Sequence, residues 1–178
     1  MRVLHSSIIL VLCLFLHVSV QEWQKEADDE IQERINFSKY TIVPKTKWCG
    51  PGNKAKNEND LGYFKITDAC CRDHDLCGDS IKPLGSKHGL RNLSPFVRSE
   101  CSCDNKFYNC LKNSSEFITP IIGNGYFNNI LNQKCYKLEY PVTGCKLYTN
   151  EKNRRCVEYI LDKKKPKIYQ WFDLPNFS

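Results

Sequence analysis

The sequence has no apolar run long enough to cross a bilayer, which argues against a membrane anchor. The run Ile8–Leu16, shortly after Arg2, is apolar throughout but far shorter than a span requires, and it has the form of a signal peptide. Residues 1–20 are therefore expected to direct export and to be removed. The next stretch, Gln21–Tyr40, contains neither cysteine nor glycine and carries six acids against three bases. It is expected to be a propeptide, residues 21–40, with an N-terminal helix of the mature domain as the other reading. No repeat or low-complexity segment interrupts Thr41–Ser178, so one domain over 41–178 is the simplest organisation. Nor is there a recognisable nucleic-acid motif, despite a formal net charge of +6, so nucleic acid is not an expected partner.

The segment before Thr41 holds four bases and six acids, so the remaining domain carries +8. Outside a cell such a charge suits anionic lipid headgroups, although for any one lysine plain solubility explains it equally well. Of eleven cysteines, Cys13 lies in the expected signal segment. The ten others (Cys49, Cys70, Cys71, Cys77, Cys101, Cys103, Cys110, Cys135, Cys145 and Cys156) imply five disulfides supplementing a modest core. Acceptor motifs for N-glycosylation at Asn36, Asn92, Asn113 and Asn176 fit an exported glycoprotein, with Pro95 disfavouring the second.

Thr41–Asp60, rich in proline, glycine, asparagine and lysine, reads as loop. Thr67 is a credible N-cap for a helix over Asp68–Cys77 that Gly78 would stop, and a second helix is expected over Ser99–Lys112. Gly78–Arg98, with Pro83, Gly85, Gly89 and Pro95, reads as one long loop. Ile118–Phe127 is apolar but broken by Pro120, Gly123 and Gly125, which places a third helix after it, over Phe127–Cys135. Patches such as Cys156-Val-Glu-Tyr-Ile suit a small hairpin in the tail.

Cys70 and Cys77 are seven apart, as are Cys103 and Cys110, so each pair lies on one helical stripe two turns long. Two antiparallel helices riveted twice would pair Cys70 with Cys110 and Cys77 with Cys103. His74 shares the first stripe and points between the rivets, where Asp104 comes within reach. A carboxylate fixing the tautomer of a histidine leaves its other nitrogen free as a general base, but spacing alone fits a structural histidine equally well. Asp75 projects to a neighbouring face. If Cys71 bonds Cys49, the loop Trp48–Gly52 is pinned beside Asp75 with backbone carbonyls to offer, and hard oxygens are what calcium requires; a solvated acid beside an ordinary turn is the alternative.

Trp48-Cys-Gly-Pro-Gly52 followed by Thr67-Asp-Ala-Cys-Cys-Arg-Asp-His-Asp-Leu-Cys77 resembles the bee-venom-type (group III) secreted phospholipase A2 family. The resemblance continues through Ser86-Lys-His-Gly-Leu90, Cys101-Ser-Cys-Asp104, Pro141-Val-Thr-Gly-Cys145 and Tyr169-Gln-Trp-Phe-Asp-Leu174. It implies a mainly α, disulfide-rich fold with two long antiparallel helices, a calcium loop and a small β hairpin. It implies catalysis by His74 with Asp104, and Ca2+ held by Asp75 and the carbonyls of Trp48, Gly50 and Gly52. It further implies the bridges Cys49–Cys71, Cys101–Cys135 and Cys145–Cys156, and a tyrosine, Tyr126, hydrogen-bonded near the aspartate. Pro51 lacks only an N–H, so it leaves the carbonyl ligands untouched. Arg154-Arg155 is read as an ordinary basic loop, a processing site being the alternative.

The implied reaction is calcium-dependent hydrolysis of the sn-2 ester of a membrane phospholipid by a secreted monomer, with a non-enzymatic receptor- or membrane-binding toxin as the alternative. Ile42, Val43, Phe64, Ile121 and Ile122 are candidates for a hydrophobic mouth, and Lys45, Lys47 and Lys54 for anionic headgroups; core packing competes for each apolar residue.

Overall fold

A computed structural model describes residues 42–128, 134–149 and 154–177, with residue 25 alone before them. The expected signal peptide and propeptide otherwise lie outside the described residues. Among the described residues three helices occur: α1 (Lys65–Asp75), α2 (Cys101–Lys112) and α3 (Thr119–Phe127). The strands are β1 (Ser80–Ile81), β2 (Ser86–Lys87), β3 (Leu90–Arg91), β4 (Arg98–Ser99), β5 (Lys134–Glu139), β6 (Val142–Tyr148), β7 (Cys156–Leu161) and β8 (Ile168–Asp173).

This corrects the expected fold class. The helices hold 32 of these residues and the strands 33, so the chain is not mainly α, and at 11, 12 and 9 residues no helix is long. Helical stripes are local and readable, whereas the strands pair across distance: β5 meets β8 from Lys134↔Asp173 to Glu139↔Ile168, enclosing the antiparallel pair β6–β7 between them in sequence. The small hairpin is thus two nested ribbons. Residues 78–98 are likewise not a bare loop, since β1 pairs with β4 and β2 with β3. His88 and Gly89, with φ of 54° and 73°, form the two-residue turn between β2 and β3, the geometry that suits strand twist in tight hairpins.

Helix α1 starts earlier than its sequence suggests. Phe64 occupies the cap position and caps nothing with its side chain; instead the Glu116 carboxylate, fifty residues on, accepts the N–H groups of Ile66 (3.3 Å) and Thr67 (2.9 Å). Thr67 is therefore inside the helix, its hydroxyl 2.7 Å from that of Thr119. The helix ends at Asp75, so Cys77 lies just beyond it. α2 begins at Cys101 because Arg98–Ser99 is drawn into β4, and the Glu100 side chain caps it by accepting Ser102 N–H at 2.8 Å.

Helix α3 occupies the stretch expected to be broken. Pro120 sits in its first turn, where a missing N–H leaves no bond unmade. Gly123 is needed for packing: a Cβ there would fall 2.4 Å from the Phe177 ring. The helix expected over Phe127–Cys135 is absent at both ends, since Phe127 closes α3 and Lys134–Cys135 open β5; residues 129–133 lie outside the described ones.

One core, with Trp48, Phe64, Phe107, Leu111, Phe127, Phe172 and Phe177 among its members, lies where helices and ribbons meet. Disulfides Cys70–Cys110 and Cys77–Cys103 join the α1 region to α2, Cys49–Cys71 ties the preceding loop to α1, Cys101–Cys135 joins α2 to β5, and Cys145–Cys156 links β6 to β7. Arg155 is buried and donates to the carbonyls of Leu174 and Pro175, so it is a structural anchor and not an exposed basic loop residue.

Candidate active site

His74 lies near the end of α1 between the two bridges to α2. Its Nε2 is 2.8 Å from Asp104 Oδ1, and its ring stacks on Phe107 with centroids 4.6 Å apart. A carboxylate is an acceptor, so Nε2 carries the proton and Nδ1 keeps a lone pair. No hydrogen bond engages Nδ1 among the described residues, and 11 % of the side chain remains exposed, enough for contact with water or substrate. The imidazole is aimed by the Asp104 bond and held by two rings, Phe107 stacked on it and Tyr126 edge-on at 5.1 Å.

Asp104, on the first turn of α2, is 1 % exposed. Tyr126 on α3 donates its hydroxyl to Asp104 Oδ1 at 2.7 Å and lies 3.2 Å from His74 Nε2. Burial, then the Asp104 charge, pushes the Tyr126 hydroxyl well above its ordinary pKa, so it stays a donor. Arg98 on β4 is also buried. Burial lowers its pKa while Tyr126 and Asp104 oppose that fall, and its Nη1 donates to the Lys134 carbonyl at 3.2 Å.

The loop at 48–52 is shaped by a residue that the sequence marked only as a helix-start acid. The fully buried Asp68 carboxylate accepts N–H bonds from Lys47 (2.9 and 3.0 Å), Trp48 (2.8 Å) and Gly62 (2.7 Å). Gly50 and Gly52, with φ of 149° and 79°, adopt backbone that other residues avoid. The carbonyls of Lys47 and Cys49 accept from Lys54 and Val43, whereas no hydrogen bond engages those of Trp48, Gly50 and Gly52 among the described residues.

Asp75 is exposed at the end of α1, yet its carboxyl is pushed up to about 7, chiefly by desolvation; Asp68 adds to the rise and His74 opposes it. A cation beside this carboxylate would oppose that rise. Among the described residues no cluster of three or more His, Cys, Asp or Glu could hold a metal. A cation at this site would rely on neutral carbonyls with a single carboxylate, an all-oxygen set of the hard type.

The candidate membrane residues divide. Ile42, Phe64 and Ile122 are buried in the core and Val43 is half-buried, leaving Ile121 exposed. Lys47 is ion-paired with Asp60, Lys45 lies 5.5 Å over the Tyr63 ring, and Lys54 is exposed. Sequence reasoning missed Tyr63 and Phe117, 75 % and 72 % exposed, whose rings both meet Phe64 edge-on at 5.1 and 4.8 Å. The adjoining buried Phe64 hid them.

The model of the family described as Phospholipase A2 matches residues 42–139. A curated phospholipase A2 from Apis mellifera is 48% identical over 181 residues, covering 99% of this chain and 100% of its own length. The chain belongs to the bee-venom-type phospholipase A2 family. This phospholipase A2 is also similar to a phospholipase A2 from Apis dorsata, 53% identical over 76% of this chain and 99% of the relative. A third, from Xylocopa aruana, is 45% identical over 100% of this chain and 97% of its own.

Proposed function

We propose that this phospholipase A2 is a secreted, calcium-dependent enzyme that hydrolyses the sn-2 acyl ester of glycerophospholipids at a membrane surface, releasing a fatty acid and a lysophospholipid. The observation that carries this reading is the His74 ring, bonded to Asp104 through Nε2 with Nδ1 unengaged. His74 Nδ1 takes a proton from water as that water attacks the ester carbonyl, and returns it to the departing glycerol oxygen. Asp104 holds the ring and stabilises the imidazolium that forms, with Tyr126 fixing the carboxylate. No acyl-enzyme is needed.

Calcium, held by Asp75 and the carbonyls of Trp48, Gly50 and Gly52, would supply positive charge to the phosphate and the developing oxyanion. The unengaged carbonyls and the exposed Asp75 carboxylate fit that ion as a hard oxygen set. Gly50 N–H, which makes no hydrogen bond of its own among the described residues, is a second oxyanion donor. Tyr63, Phe117 and Ile121 form the apolar contact with lipid, with Lys45 and Lys54 toward anionic headgroups.

Residues 1–20 and 21–40 are removed as signal and propeptide, leaving a monomeric domain; the 137 residues over which the Apis dorsata relative aligns match the size of 41–178. Five disulfides and an even set of ten cysteines outside the signal segment support export. No observation favours the non-enzymatic toxin reading, which leaves the His74–Asp104 geometry without a use. The test is fatty-acid release from mixed phospholipid vesicles with calcium and with chelator. Release only with calcium is expected; full release under chelation would remove the metal from the mechanism.

A further inference from the structure

We infer that Asn113 is the N-glycosylation acceptor of the folded domain, and that the acceptor motifs at Asn92 and Asn176 stay bare. The motif is common enough to mean little by itself, and the three differ entirely in what surrounds the reacting amide nitrogen. Asn92 is 2 % exposed, and its Nδ2 donates to the carbonyls of Ile81 (3.0 Å), Lys82 (3.1 Å) and Phe96 (2.7 Å). Its Oδ1 accepts Ser94 N–H at 3.0 Å, so this side chain stitches residues 81–96 together. A sugar on Nδ2 would break those bonds and meet the protein interior.

The Nδ2 of Asn176 is also buried, within a tail held on one side by Arg155, which donates to the carbonyls of Leu174 and Pro175, and on the other by Asn128, which bonds both N–H and C=O of Phe177. Asn113 is the opposite case. It is the exposed C-cap of α2, where only its backbone N–H is engaged; its side-chain amide bonds nothing among the described residues. Ser115, the hydroxyl residue of the motif, is exposed in the segment between α2 and α3. The Asn36 motif lies outside the described residues and leaves with the propeptide.

The reaction is glycosyl transfer from a lipid-linked oligosaccharide pyrophosphate. Asn113 Nδ2 bonds to the anomeric carbon, the bond from that carbon to the pyrophosphate oxygen breaks, lipid pyrophosphate departs, and one Nδ2 proton passes to solvent. This inference rests on the secreted reading. The test expresses the full chain in insect cells and analyses medium and lysate by endoglycosidase shift and glycopeptide mapping, with Asn113→Gln, Ser115→Ala, Ser94→Ala and Ser178→Ala alongside.

One glycan is expected on the protein in the medium, lost in Asn113→Gln and in Ser115→Ala, retained in the other two, with phospholipid hydrolysis unchanged throughout. Protein in the medium without a glycan, or with one that survives both Asn113→Gln and Ser115→Ala, overturns the inference alone. A chain retained in the lysate with residues 1–20 intact counts against secretion instead. Replacing those residues by a heterologous signal peptide and mapping the product then decides Asn113 directly.

Discussion

Two histidine–aspartate pairs occur among the described residues, and only one has the geometry proposed for catalysis. His74 and Asp104 face each other between two disulfide bridges, with the carboxylate 1 % exposed, a tyrosine on the same oxygen and Nδ1 unengaged. His88 and Asp79 meet at the same 2.8 Å, but Asp79 is a third exposed and is shared with Lys87, while His88 stacks on Tyr169 at 4.0 Å. The second pair fastens the β2–β3 turn to β8. Proximity of the two residue types thus does not separate the pairs; burial of the carboxylate does, and the proposed mechanism uses it together with the unengaged Nδ1 of His74.

Substitution should separate the pairs. His74→Gln is expected to cut the rate of fatty-acid release on the order of 10³-fold without loss of fold, whereas His88→Gln leaves it within about twofold; equal losses would erase the distinction. Asp75→Asn should cost on the order of 10²-fold at fixed calcium and weaken calcium binding measured by titration calorimetry. Tyr126→Phe removes one bond to a charged carboxylate and should lower kcat by roughly tenfold, with KM little changed.

The smallest effect is a dependence on pH at the second pair. Burial would raise the Asp79 carboxyl, but hydrogen bonds from Lys87 and His88 outweigh it and hold it down at about 2, below the ordinary 3.8. A carboxylate depressed in the folded state adds stability above its unfolded pKa and loses that contribution as pH falls. The Tm difference between wild type and Asp79→Asn should therefore be constant above about pH 4 and vanish toward pH 2. A difference that grows on acidification would reverse the assignment.

Much of the proposed site was legible because its geometry is local. Cys70 and His74 fall on one stripe of α1 with Cys77 just past its end, Cys103 and Cys110 share a stripe of α2 with Asp104 beside Cys103, and periodicity carries much of that directly. What escaped depends on partners distant in sequence. Gly123 reads as a breaker until Phe177 is seen to lie where its side chain would be. Asp68 reads as no more than the first residue of a helix until the loop N–H groups converge on it. Ile42, Phe64 and Ile122 are as apolar as a membrane-facing mouth would be, and only packing tells which side of the surface they occupy.

Helix α1 bears one further consequence, for which part of the fold gives way first. Its first turn has no side-chain cap of its own and takes the Glu116 carboxylate, fifty residues on, for the N–H groups of Ile66 and Thr67. A peptide cut from residues 60–80 should therefore remain largely coil, because nucleating so short a helix in water is unfavourable without that help. Glu116→Gln should accordingly weaken the segment that carries His74 before it disturbs the rest of the fold, a loss that amide exchange at Ile66 and Thr67 would register.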